Sequence, residues 1–317
     1  MSEFRRNLLT AMNKAEPPIT KDYLTIVALG DDLTAKLSLN ACEYCVDGNG
    51  IWKNLPADTE TETVNAGQTL SFRGDLTPTL NNGIGTFTVN KYFNLKGNCM
   101  SMLFGDNGRN NFSLSGKSFA FRYLFKSCDK LLSTSTFILP ATTLDYGCYY
   151  GMFSTCTNLI NTPELPSSSL ADFCYYAMFA NCSSITMSHD LLAETAKSSC
   201  YSYMFNLCTS LRTPPEINLT KLANSCCYTM FGGCSSLEIS PILHSTILAE
   251  NCYARMFENC KLLNKILMFA TDISLSECLS NWVSGVSSSG IFVKNKDATW
   301  DVWGVNGIPK GWSVMTE

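Results

Sequence analysis

The sequence predicts a mixed α/β repeat protein, in which a solenoid of 26-residue units follows a small antiparallel β module. Nonapeptides of the type "CYYGMFSTC" occur five times from residue 148, and their first cysteines recur every 26 residues up to Cys278. A strict period in the range of about 20–50 residues indicates stacked units that bury their apolar faces on one another. Before residue 99 the chain instead alternates apolar and polar residues between turn residues, which is typical of half-buried strands.

These patterns divide the chain into four parts. Residues 1–20 are predicted to be a flexible N-terminal arm, and residues 21–98 a β-sandwich-like module. The solenoid is expected over residues 99–289. Residues 290–317, which contain three of the five tryptophans, are predicted to form an aromatic C-terminal cap.

The β module is predicted from short alternating segments. They are "YLTIVAL", "AKLSL", "QTLSFRG" and "GTFTVN", each bounded by Gly, Asn or Asp. The segment "CEYCVDGNGIWKNL" indicates a hairpin with "DGNG" as its turn. These segments predict antiparallel strands.

The repeat unit is predicted to contain a short helix and a short strand. Cys148, Met152 and Cys156 fall at i, i+4 and i+8, which is the spacing of one apolar helix face. Pro163 and Pro166 follow and exclude a helix there, so an extended piece is expected. One short helix, one strand and one turn would then fill each 26-residue unit.

The motif "MFxxCxxL", followed by a proline-containing strand, resembles the BspA-like leucine-rich repeats, whose units carry an "AFxxCxxL" core. The version with Met resembles repeats in surface proteins of gut Bacteroidetes. The resemblance covers about residues 99–286 and implies a curved leucine-rich-repeat solenoid with strands on one face and helices on the other. It also implies a binding or adhesive role at the cell surface or outside the cell, although the first residues show no signal peptide.

Composition argues against two classes of partner. The net charge is −4 and Lys and Arg cluster nowhere, so no nucleic-acid footprint is present. No apolar run approaches the roughly 18 residues that span a bilayer. We therefore expect neither a nucleic-acid partner nor a membrane span.

The 16 cysteines do not indicate a catalytic or metal site. Cysteine catalysis needs a nearby base, and the two histidines, His189 and His244, occupy different positions in their repeats. The Cys42-x-x-Cys45 pair is half a zinc motif without a second half. We predict no catalytic residues, no metal and no cofactor, and expect the repeat thiols to be reduced, small, buried apolar groups.

One column of side chains is a candidate binding strip. Glu164, Asp190 and Glu216 follow the repeat leucine or isoleucine at one offset, and Ile242 and Met268 continue the column. Such a row is either a solvated face or a docking strip for a partner.

The sequence therefore predicts a non-enzymatic recognition or adhesion protein that binds a protein or glycan ligand through the solenoid face, at a bacterial cell surface or host contact. The alternative is a structural component of a phage-like or secretion-related fibre. A thiol-dependent enzyme is the third and disfavoured hypothesis. Neither the ligand nor the oligomeric state follows from the sequence.

Overall fold

The computed structural model describes residues 23–317, so the predicted arm, residues 1–20, lies outside the described residues. The described chain is built mainly of strands and turns. The strands are β1 Leu24–Ala28, β2 Ala35–Leu37, β3 Cys42–Val46, β4 Lys53–Leu55, β5 Thr69–Arg73, β6 Phe87–Val89, β7 Phe93–Asn98, β8 Leu131–Ile138, β9 Ile239–Leu243, β10 Lys265–Met268, β11 Ile291–Lys294 and β12 Ser313–Thr316. The helix α1, Ser101–Phe104, and a 3₁₀ helix, Gly105–Asn110, lie between β7 and β8.

A six-stranded sheet forms the N-terminal part, in the order β4-β3-β5-β1-β7-β8. Strands lie in each of the four alternating segments, and β3 pairs antiparallel with β4 to form the predicted hairpin. Strand β7 was not predicted; it pairs antiparallel with β1 on one side and parallel with β8 on the other. Because β8 belongs to the repeat region, this sheet joins the β module directly to the repeats. The four predicted domain boundaries stay predictions.

The predicted mixed α/β leucine-rich-repeat solenoid is wrong, because the nonapeptides do not form helices. Among the described residues the one α-helix is α1, which has four residues and lies outside the nonapeptides. Each nonapeptide is a chain of turns that is hydrogen-bonded to its counterpart in the next 26-residue unit. We call each unit a coil and each chain of turns a turn ribbon.

The turn ribbon has a four-residue backbone period. Gly147, Gly151 and Thr155 have φ of 57°, 57° and 65°, in the left-handed region. An α-helix requires every residue in the right-handed region, so these positions exclude it. Successive backbone N–H groups alternate between acceptors in their own ribbon and acceptors in the next coil. The Met152 N–H donates to Tyr149 O of the same ribbon at 3.2 Å, whereas the Gly151 N–H donates to Tyr176 O of the next coil at 2.8 Å.

The core between coils is a column of stacked phenylalanine rings. Phe153, Phe179, Phe205 and Phe231 are fully buried, with successive ring centroids 5.6, 5.6 and 5.7 Å apart. The second cysteine of each nonapeptide lies beside this column. Its thiol donates to the phenylalanine carbonyl of the preceding coil, as from Cys182 Sγ to Phe153 O at 3.0 Å. The thiols are therefore hydrogen-bond donors between coils as well as small apolar groups.

A parallel four-stranded sheet, β12-β11-β10-β9, closes the C-terminal part. In the coils between β8 and β9, the segments that correspond to these strands pair only through isolated bridges, such as Leu191↔Ile217. Pro163, Pro166 and Pro214 lie in this stretch and have no N–H for a strand ladder. No helix among residues 23–317 is long and apolar enough to cross a membrane.

Candidate ligand-binding surfaces

The predicted acidic strip is on the surface for most of its length. Glu164 and Asp190 are exposed, Glu216 is half-buried and Ile242 is exposed. Met268 is fully buried, so the expectation that it continues the strip is wrong. The cause is a register shift between β9 and β10, which pairs Leu267 with Ile242 and turns Met268 into the core beside Leu243.

Part of the strip has a structural role. The carboxylate Oδ1 of Asp190 accepts the backbone N–H of Glu216 at 2.9 Å and so links two coils. Glu216 in turn lies near His244. Burial lowers the pKa of His244, and the negative charge of Glu216 offsets part of that lowering. The strip is therefore engaged in contacts within the protein, and its ligand-binding role stays a prediction.

The thiols are buried, and burial raises the pKa of most of them. All 16 cysteines are free and buried. Burial raises the pKa of Cys148, Cys182 and Cys260 to about 12. Because the thiolate is the nucleophile, a thiol with so high a pKa is unreactive near neutral pH.

The Cys42-x-x-Cys45 pair lies within β3, where both side chains are buried. Burial raises the pKa of the Cys42 thiol to about 12, which opposes the deprotonation that a metal ligand requires. In the part of the chain that the structure describes, no three His, Cys, Asp or Glu side chains are grouped to hold a metal ion.

A row of half-buried tyrosines crosses the turn ribbons of consecutive coils, and the sequence reasoning missed it. Neighbouring ring centroids are 5.5, 4.5, 5.4 and 5.4 Å apart along the row. The row consists of Tyr123, Tyr150, Tyr176, Tyr203 and Tyr228. We call it, together with the shorter row below, the aromatic face.

A shorter aromatic row runs beside the first. Phe119 and Tyr146 have ring centroids 5.2 Å apart, and Tyr146 and Phe173 are 5.3 Å apart. Phe173 also contacts Tyr176 at 5.7 Å, which joins the two rows. Tyr146 is 42% exposed, so this part of the face is open to solvent.

The four-residue turn period explains why these rings reach the surface. Tyr149 is 1% exposed and stacks in the core, whereas the adjacent Tyr150 is half-buried on the aromatic face. Gly151 leaves room for the ring of Tyr123, because a Cβ at Gly151 would come within 2.5 Å of that ring. For Tyr150 and Tyr176 the signal in the sequence was the second tyrosine of "CYY", which a helix assignment does not separate from the first.

Cationic groups lie at the N-terminal end of the aromatic face. The Arg122 guanidinium carbon lies 4.8 Å from the ring centroid of Tyr123 and 4.6 Å from that of Tyr150. Lys126 Nζ lies 4.3 Å from the Tyr123 centroid. Burial and then the neighbouring tyrosines raise the pKa of Tyr203 to about 12, so its hydroxyl stays protonated and can donate.

A second surface feature is a groove of about 550 Å³ beside β5. Arg73 lines it, but both ends of its guanidinium are already occupied. Its Nε donates to Glu43 Oε2 and its Nη1 to Asp106 Oδ1, each at 2.8 Å. The groove therefore offers a ligand less unsatisfied charge than the aromatic face does.

Comparison of the chain with protein-family models, with curated proteins and with solved structures found no match.

Proposed function

We propose that this protein is a non-enzymatic recognition or adhesion protein that holds a glycan or protein ligand against its coil stack. The observation that supports this is the aromatic face. Tyrosine combines a large apolar ring with a polar hydroxyl, and for that reason it is frequent where proteins bind partners. A row of five half-buried tyrosines provides an extended surface rather than a pocket.

The stacking of the coils supports the same proposal. Each ribbon is tied to the next by backbone hydrogen bonds, such as Ala177 N to Ser202 O and Tyr203 N to Tyr228 O, both at 2.8 Å. These bonds fix the spacing of the tyrosines before a ligand arrives. A surface that is ordered in advance loses less conformational entropy on binding. The cell-surface location, inferred from the resemblance of the repeats, stays a prediction.

Binding by paired variants tests the proposal. We expect the wild-type protein to bind at least one member of an array of glycans and extracellular proteins. The double variant Tyr150→Ala/Tyr176→Ala should lose most of that binding, since truncating a central interface tyrosine often weakens affinity by roughly tenfold or more. Tyr92→Ala is the matched control, because Tyr92 is 45% exposed, precedes β7 and belongs to neither row of the aromatic face. Equal binding by all three proteins would refute the role of the aromatic face.

The fibre alternative has one supporting observation. All four residues of β12 are exposed, and its outer edge pairs with no strand of the described chain. An open edge strand is a template for pairing with another molecule. If assembly is the function, sedimentation should show concentration-dependent oligomers that Val314→Lys abolishes.

A further inference from the structure

Arg122 is a cation held by aromatic rings and without a carboxylate partner in the described chain. Its guanidinium carbon lies within 4.9 Å of three ring centroids, those of Phe119, Tyr123 and Tyr150. Its Nη1 donates to the backbone oxygen of Leu80 at 2.9 Å. Its Nε is buried and has no hydrogen-bond partner, which is costly for a charged group. None of the ion pairs among residues 23–317 includes Arg122.

A second cation shares a ring with Arg122. Lys126 Nζ lies 4.3 Å from the ring centroid of Tyr123, which Arg122 also contacts, and Lys126 belongs to none of the ion pairs in the described chain. A guanidinium with free donors is suited to a carboxylate or sulfate, which it can bind by charge-assisted hydrogen bonds.

The backbone under the aromatic face leaves no place for a peptide strand to pair. The Tyr123 N–H donates to Tyr150 O at 3.0 Å, and the Gly151 N–H to Tyr176 O at 2.8 Å. The intervening N–H groups close the local turns, as from Tyr150 to Gly147 O at 3.0 Å. Adding a strand requires free N–H and C=O groups along an edge, and the ribbons have used theirs. Sugar rings need no such ladder. Tyr150 and Tyr176 stack on each other at 4.5 Å, so the row presents ring edges and hydroxyl groups, across which a sugar chain can lie and form hydrogen bonds.

Resting on the proposed function, we infer that the ligand is an anionic glycan. Its acidic group binds Arg122, and the following sugar rings lie along Tyr150 and Tyr176. The chain of rings continues toward Tyr203 and Tyr228, so an extended oligosaccharide makes more contacts than a single sugar. The charge at one end of the tyrosine row sets the direction in which the glycan lies.

Calorimetric titration with chemically matched glycans tests this inference. The probes are an oligogalacturonate, its fully methyl-esterified neutral form, a heparin oligosaccharide of similar length and poly-glutamate. We expect the wild type to bind the acidic oligosaccharide roughly tenfold more tightly than the neutral ester, the effect of one charge-assisted hydrogen bond. Added salt should reduce the difference. Comparison of the galacturonate with heparin distinguishes carboxylate from sulfate as the preferred anion.

The variants separate this inference from the function on which it rests. Arg122→Gln should bind the acid and the ester equally, whereas Tyr176→Ala should weaken both, and Lys130→Gln serves as a control cation already paired with Asp129. A wild type that binds neither anionic glycan, or an Arg122→Gln variant that keeps the full preference, would overturn the inference. If Tyr176→Ala still weakened binding to another ligand, the proposed function would stand alone. Tighter binding of poly-glutamate than of either glycan would replace the glycan by an acidic polypeptide.

Discussion

At the scale of single residues, the cysteine thiols, which are potentially reactive groups, serve to pack neighbouring coils together. The Cys208 thiol donates to Phe179 O at 3.2 Å, and the Cys234 thiol to Phe205 O at 3.1 Å. These bonds repeat from coil to coil beside the phenylalanine column. The cysteine pattern that dominates the sequence is therefore a structural signature of the coil junction.

Phe205→Ala should destabilise the protein by about 3–5 kcal/mol, the usual cost of removing a buried phenylalanine. Its ring stacks at 5.6 Å on Phe179 and 5.7 Å on Phe231, so truncation opens a cavity in the middle of the column. Urea unfolding of the variant against the wild type measures this loss. A cost below about 1 kcal/mol would contradict a continuous column.

Trp282 continues the column beyond the last nonapeptide. It is fully buried, contacts Phe257 and Phe292, and donates its Nε1–H to Gly307 O at 2.8 Å. The C-terminal residues cover it. Trp282→Ala should therefore cost as much as Phe205→Ala in the same urea measurement.

At the scale of the element, one small residue of the first turn ribbon lies directly against a large ring. Gly151 has φ of 57°, and a Cβ there would lie 2.5 Å from Cε1 of Tyr123. The left-handed backbone itself accepts alanine elsewhere, since Ala177 has φ of 51° at the equivalent position of the next coil. The clash with the Tyr123 ring is thus the decisive feature at Gly151.

Gly151→Ala should destabilise the protein by at least about 1 kcal/mol more than Gly116→Ala, because overpacking displaces a ring. Gly116 is the matched control: its φ is 73°, and a Cβ there would meet no atom within 4 Å. Thermal unfolding of the two variants gives the comparison. Equal melting temperatures would contradict the contact between Gly151 and the aromatic face.

The ribbon also shows where sequence reasoning failed. Buried residues at Cys148, Met152 and Cys156 fit a four-residue turn period as well as a helix of 3.6 residues per turn, and nine residues are too few to separate the two. The residues that differ are those in the left-handed region, often Gly or Asn, such as Asn181 and Gly233. The strands near the N-terminus were predictable because alternation along a strand is a local signal.

The binding surface was harder to predict than the strands. The acidic strip could be found at a constant offset, but the register shift that buries Met268 depends on pairing between β9 and β10 and leaves no mark in the sequence. The aromatic face depends on which of two adjacent tyrosines turns outward. That choice follows from the backbone turn and not from the residue type.

At the scale of the whole molecule, the stack accumulates buried groups that resist ionisation. Burial raises the pKa of thiols such as Cys182 and Cys260 to about 12, and raises that of the core tyrosines Tyr175 and Tyr201 well above its usual value. In the unfolded chain the pKa of a cysteine thiol is about 8.5. Between that pH and about 12 the unfolded state binds fewer protons than the folded state, so stability falls as pH rises.

Urea midpoints measured under reducing conditions should therefore be constant just below about pH 8 and should fall steadily above about pH 8.5. Cys182→Ala should show a smaller fall than the wild type, because it removes one group that ionises only on unfolding. A midpoint that does not change up to about pH 11 would contradict burial of the thiols.

The central claim is that a turn ribbon separates adjacent tyrosines, with the first in the core and the second on the aromatic face, as at Tyr149/Tyr150 and Tyr175/Tyr176. Nitration of the native protein, followed by peptide mass spectrometry, tests it at the adjacent pairs Tyr149/Tyr150 and Tyr175/Tyr176. Tyr149 and Tyr175 are each 1% exposed, whereas Tyr150 and Tyr176 are half-buried on the surface. The account predicts modification of Tyr150 and Tyr176 with Tyr149 and Tyr175 unmodified until the protein unfolds. Equal modification within each pair, or modification of the first member alone, would contradict it.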